Sequence, residues 1–179
     1  IQGSFIAWLS LLGVPGMADV LPFIAVSPTS TTSFVERGSG KPFVAVGVNY
    51  FSPNTGWAPK LWQQFNEQTV RQDMELLHRQ GFNSIRVFLT YDSFHREPGK
   101  VHNEGCDKFL RLVQICRESG IYVNPSGPDH WEGTPSWRRD RDPFADETVL
   151  QADEAWWKEF VARFKDEPAI LAWDLFNEP

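Results

Sequence analysis

Four short, β-branched runs recur along this chain, starting near residues 43, 84, 121 and 169, with 37 to 48 residues from one start to the next. A strand that returns to the same sheet in the same direction needs a crossover long enough for a helix, so this alternation predicts parallel strands joined by right-handed βα units. The segments between the runs have the required helical period. Val70, Met74 and Leu77 share one face of a helix predicted over Glu67 to Gln80, capped by Asn66 and stopped at Gly81. Phe109, Leu112, Val113 and Cys116 fall at i, i+3, i+4 and i+7 of a second, from Cys106 to Glu118. A third runs from Thr148 to Lys165, with a predicted apolar stripe of Trp157, Phe160, Val161 and Phe164.

The runs themselves read as strands. Phe43 to Val48 is the return arm of a small hairpin that starts at Phe34 and Val35 and turns through residues 37–40; its near-continuous apolar character predicts burial on both faces. Ser84 to Leu89, Ile121 to Asn124 and Ala169 to Phe176 follow, the second of these four strands ending in a turn at residues 91–93. Four such units are half of an eightfold closure. The fold class expected is α/β, a TIM (β/α)8 barrel truncated to about its first four β-strands and three helices. A doubly wound sheet shares the alternation, but the first strand-helix turn, residues 49–53, lacks a glycine-rich phosphate loop.

One compositional regime covers residues 34–179, predicting a single domain, and the Pro/Ser/Thr stretch before it reads as a linker over 19–33. Phe5 to Val14 is an uncharged apolar run followed by Gly16, Met17 and Ala18, which places small residues at the -3 and -1 positions of a signal-peptidase site. Residues 1–18 are therefore expected to be a signal-peptide remnant, implying a secreted, extracellular protein with no membrane segment once mature; a buried N-terminal segment is the alternative. A net charge of -6 argues against nucleic acid, and Arg138, Arg139 and Arg141 alternate with Asp140 and Asp142 as in a solvated loop. Cys106 and Cys116 lie ten residues apart on one predicted helix, about 15 Å at 1.5 Å per residue, too far for a disulfide. Neither a metal nor a cofactor is expected from residue spacing. Eight tryptophans suit a site that stacks the flat apolar faces of sugar rings, although core packing uses tryptophan too.

In a barrel, function gathers where strands end. That rule selects Asn49 and Tyr50, then Arg86, then the loop with Asp129, His130, Trp131 and Glu132, and finally Asn177 and Glu178. A carboxyl at the end of an apolar strand is expected to lose solvation, which favours its neutral form and suits a general acid; a helix-start glutamate is the bland alternative for Glu178. Asn177 offers an amide to a sugar hydroxyl, or else a turn or N-cap. Arg86 interrupts an apolar strand and must find carboxylates or carbonyls, in a site or in a structural ion pair. His130 either contacts substrate or satisfies its loop. Tyr50, Trp57, Trp62, Trp131 and Trp137 are stacking candidates with core or rim packing as the alternative.

The run from Trp173 to Pro179 resembles the W-x-L-x-N-E-P end of strand four in family 5 glycoside hydrolases and their relatives. Residues 47–50 are similar to the G-x-N-Y segment of strand one, residues 81–86 to the G-x-N-x-x-R segment of strand two, and residues 166–170 to the approach to strand four. The resemblance implies a retaining mechanism on a β-1,4-linked polysaccharide such as mannan or cellulose. Glu178 would be the acid/base, Asn177 would bind the 2-hydroxyl, and Arg86 would orient a nucleophile. That nucleophile, a glutamate on strand seven, has no counterpart in these residues, so this chain alone is expected to be inactive. A noncatalytic carbohydrate-binding barrel, and a retaining exo-glycosidase of β-galactosidase or β-xylosidase type, are the competing expectations.

Overall fold

A computed structural model describes residues 21–129 and 133–178; the expected signal segment therefore lies outside the described residues, as do His130, Trp131 and Glu132. The described chain opens with an antiparallel sheet of β1 (Ile24–Ser27), β2 (Ser30–Glu36) and β3 (Pro42–Phe43), in which Val26 pairs with Phe34 and Phe34 with Phe43. This corrects the linker expected over 19–33. Ala25 pairs with Val35 and Val26 with Phe34, and these apolar cross-strand pairs outweigh the Pro/Ser/Thr composition between them. The sheet is tied to the barrel strands: Phe43 lies edge-on to Tyr122 at 5.1 Å, and the Tyr122 hydroxyl donates to the Pro22 carbonyl at 2.7 Å.

The expected parallel sheet follows. β4 (Gly47–Asn49) enters it, α1 (Ala58–Gln63) and α2 (Glu67–Arg79) return the chain to β5 (Ser84–Thr90), and α3 (Tyr91–Phe94) and α4 (Asn103–Glu118) lead to β6 (Tyr122–Asp129). The sheet order is β4-β5-β6, with Asn49 level with Arg86 and Arg86 level with Asn124. Gly47 is required by the close approach of β4 to β5, since a Cβ there would sit 2.4 Å from Ser84 Oγ. α5 (Glu147–Phe164) then carries the chain to the last run.

That last run does not form the continuous strand expected over Ala169 to Phe176. It touches β6 in two isolated bridges, Val123 with Ile170 and Ser126 with Asp174. The Leu171 amide donates to Val123 O and the Asp174 amide to Pro125 O, so three residues on this edge span two on β6. Pro125 has no N–H to offer in between, and the chain bulges where the ladder loses that donor.

Outward-facing Ile85, Val87 and Leu89 of β5 are buried against Val70 and Met74 of α2 and Phe109, Leu112 and Val113 of α4. The buried face of α5 is Val149, Ala152, Trp156, Phe160 and Phe164. It is rotated from the expected stripe, leaving Trp157 and Val161 only partly covered, because Trp156 stacks on Phe160 and donates to the Phe94 carbonyl deep in the core. The segment entering β4 is not buried on both faces: Val44 is 73% and Val46 47% exposed, and among the described residues β4 pairs only with β5. Asn83 holds this segment by its side chain, accepting from Val46 N and donating to Val44 O.

Candidate active site

Side chains alternate along a strand, so the face of the sheet opposite the apolar core receives Ser84 and Arg86 from β5 and Asn124 and Ser126 from β6. The Arg86 guanidinium organises this face. Its Nε donates to Asp174 Oδ2 at 3.0 Å, and its Nη2 donates to Ser126 Oγ at 2.8 Å, to Asn177 Oδ1 at 3.1 Å and to the same Asp174 oxygen. Ser126 Oγ completes the set by donating to Asp174 Oδ2 at 2.6 Å. The charge is thus paired and its edge saturated, which is how a partly buried arginine is tolerated.

Two amide atoms at this face are left over. Asn177 is 4% exposed, yet its Nδ2 finds no partner among the described residues, and the same is true of the buried Asn124 Oδ1. An unmatched buried amide costs free energy, and it is retained where a ligand or a further polar group satisfies it. Asn49, Arg86 and Asn124 line an open cleft of about 360 Å³ on this side. A roomier cleft of about 520 Å³ lies by the C-terminal ends of α2 and α4, where Arg71 is already paired with Glu118 and Arg117 with Glu167. Arg86 and the unmatched Asn124 amide make the smaller one part of the candidate site, with Asn177 reaching it through its bond to Arg86.

Glu178 follows Asn177 directly, at the exit of the last run, with φ of +51°. A non-glycine residue in the left-handed region is uncommon and strained. Glu178 is exposed, so the desolvation by an apolar strand expected for it is absent from this structure. The strand is irregular at this point, and its apolar side chains turn elsewhere: Trp173 toward Trp157 and Phe160, and Phe176 onto Phe144.

Other expectations divide. Asn49 is exposed and level with Arg86, on the site face. Tyr50 is not: as the next residue along the strand it points the opposite way, is 5% exposed, and donates from its hydroxyl to Asp73 Oδ2 of α2 at 2.7 Å. Burial, then the Asp73 hydrogen bond, push its pKa far up, so Tyr50 is a neutral core residue and not a substrate contact. Trp62 is also core, donating to the Phe88 carbonyl at 2.7 Å. Trp57 stacks on Phe51, while Trp137 lies on Tyr91 and His95 and donates to the Arg96 carbonyl at 3.0 Å. Asp129 ends β6, and His130 and Trp131 fall outside the described residues.

Sequence reasoning missed Asp174 and Ser126. Asp174 had a signal, because it is a charge inside an apolar strand, as Arg86 is, and two such charges on neighbouring strands invite pairing. It also missed a second polar cluster: His95, fully buried between Tyr91 and Trp156, accepts from Gly99 N at 3.0 Å through Nε2 and sets Nδ1 3.3 Å from Asp153 Oδ1, to which the Tyr91 hydroxyl also donates. The Tyr91 bonds to Asp153 and the packing of His95 on Trp156 anchor α3 to α5, while His95 Nδ1 makes no hydrogen bond among the described residues.

Among curated proteins, the chain is 23% identical over 175 residues to the mannan endo-1,4-β-mannosidase F of Aspergillus clavatus, covering 85% of this chain and 40% of that one. It is 26% identical over 141 residues to a β-galactosidase of Vibrio cholerae, covering 78% of this chain and 11% of that one. The chain therefore spans well under half the length of these relatives. Among solved structures, an exo-β-1,4-mannosidase from Opitutaceae bacterium strain TAV5 superposes with a TM-score of 0.71 at 27% identity, over 79% of this chain and 26% of that one. A GH5_18 protein from Streptomyces cattleya, solved in complex with Manβ1-4GlcNAc, matches with a TM-score of 0.66 at 23% identity, over 75% and 34%. The model of the cellulase family matches residues 37–179, from the hairpin turn to the acidic end of the last run, and the chain belongs to that family, glycosyl hydrolase family 5.

Proposed function

We propose that this chain carries the acid/base side of a retaining glycoside hydrolase acting on β-1,4-linked glycans of the mannan type, with Glu178 as the general acid/base. One observation carries the reading: the Arg86, Asp174, Ser126 and Asn177 network, which buries Asn177 with an amide donor to spare immediately before Glu178. In the first step Glu178 gives its proton to the departing glycosidic oxygen; in the second it takes one from water. Asn177 Nδ2 donates to the 2-hydroxyl, a bond that strengthens as positive charge grows at the anomeric carbon.

Such a mechanism needs a second carboxyl roughly 5 Å from the first. Asp174, whose Oδ2 accepts from both Arg86 and Ser126, is read as part of the network that positions Asn177. Arg86 Nη1, without a partner among the described residues, is left to hold a nucleophile supplied from outside these 179 residues. Mannose-configured substrates are favoured over galactosides because the mannosidase likenesses extend over more of the relatives' length. The likeness to an exo-β-1,4-mannosidase supports a second reading, attack at chain ends. A polymeric substrate is met outside the cell, so extracellular action is part of the proposal.

The test is Glu178→Ala in the full-length protein, assayed on β-mannan, mannobiose and aryl mannosides, with the 179-residue chain as a control that turns nothing over. Hydrolysis of poor leaving groups should fall by about a hundredfold or more, with azide restoring part of the turnover of activated substrates. Near-normal rates in the variant would end the acid/base assignment, and polymer cleaved no faster than mannobiose would favour the exo reading.

A further inference from the structure

Arg86 is gripped along one edge, which leaves its plane free to swing about that edge unless a face is also held. The structure holds a face. The guanidinium carbon lies 4.5 Å over the ring of Phe88, Phe88 lies parallel to Phe51 at 5.6 Å with 1° between the planes, and Phe51 lies on Trp57 at 6.5 Å and 18°. Phe88 is itself fixed, 2% exposed and with its carbonyl taken by the buried Trp62 indole at 2.7 Å. Four flat groups are stacked, with the charged one at one end and the buried Phe88 next to it.

We propose that Phe88, backed by Phe51, is a positioning residue for Arg86: the ring face sets the guanidinium plane so that Nη1 points across the cleft toward the incoming carboxylate. A cation over the negative face of a desolvated ring is attracted to it, and planar stacking is a property of arginine that lysine does not share. The hydrogen bonds to Asp174, Ser126 and Asn177 choose which edge is used; the ring chooses the tilt. The assignment of Nη1 to a carboxylate rests on the hydrolase reading above, but the stack does not.

The experiment is Phe88→Leu in the full-length protein, which keeps an apolar side chain of similar bulk and removes the π face, beside Phe88→Tyr, which restores it. Phe51→Leu, at a partly exposed ring, serves should the buried substitution prevent folding. Two readouts are taken: solvent exchange of the Arg86 Nε–H by ¹⁵N NMR, and the pH profile of kcat/KM. Phe88→Leu should speed that exchange about tenfold and lower kcat about tenfold with little change in KM. A carboxylate that loses a well-aimed cation is harder to ionise, so the acidic limb should move to higher pH, and Phe88→Tyr should recover both readouts. Exchange and acidic limb unchanged in Phe88→Leu, or a tyrosine variant no better than the leucine one, would overturn the proposal. A wild-type protein inactive on every β-1,4-glycan would sink the hydrolase reading alone, and the exchange measurement would then decide this one.

Discussion

Asn49 and Tyr50 are neighbours in sequence and opposites in the fold. A strand's period of two sends one toward Arg86 and the cleft and the other between β4 and α2, where the Tyr50 hydroxyl meets Asp73. This makes the two separable by mutation. Tyr50→Phe removes one hydrogen bond to a partly buried carboxylate and should destabilise the protein by about 1 kcal/mol, measured as a lower urea midpoint. Turnover by the full-length protein should stay within about twofold of wild type, because nothing on the cleft side changes. A variant of full stability but crippled activity would put the Tyr50 hydroxyl back at the substrate. The same parity explains what the sequence could show at this scale. Arg86 and Asn177 were legible because a charge in an apolar strand and an amide at a strand end both demand a partner. Asp174 carried the same signal, but its partner lies 88 residues away on another strand, and the bulge in the last run was illegible because it arises opposite Pro125, also on a different strand.

Among the elements, the three long helices announced themselves. α2, α4 and α5 have 13, 16 and 18 residues, several turns each, so their periodicity is readable, and the Asn66 cap is in place, accepting from Thr69 N at 2.9 Å. α1 and α3, at six and four residues, are too short to show a period; Pro59 and the buried Tyr91 and Phe94 are all that mark them. α3 depends instead on close packing with the start of α4. Gly105 makes that approach possible, since a Cβ there would lie 2.2 Å from the Ser93 carbonyl oxygen. Backbone cannot give way as a side-chain tip does, so Gly105→Ala should cost about 1–3 kcal/mol in denaturant despite alanine's better helix propensity. A stabilised variant would mean that α3 is free to shift away from α4.

At the scale of the whole molecule, a curved parallel sheet has two ends, and both are open here. Among the described residues β4 is paired on one side only, by β5, and the run through Ile170 and Asp174 is bridged on one side only, by β6. Backbone donors and acceptors along such edges template pairing with any strand that reaches them. Exposed apolar side chains stand beside both, Val46 at 47% and Leu175 at 64%. Asn83 blunts part of the first edge by bonding the backbone at Val44 and Val46. No side-chain clamp of that kind is seen on the Leu175 side among the described residues. The 179-residue chain should therefore associate as its concentration rises, with a growing weight-average mass in size-exclusion chromatography with light scattering. Leu175→Lys should shift it toward monomer more than Val46→Lys does, since a charge at the unguarded edge obstructs pairing that Asn83 already limits at the other. A wild-type chain that stays monomeric across the accessible concentration range would show that these edges are protected by something other than a neighbouring strand.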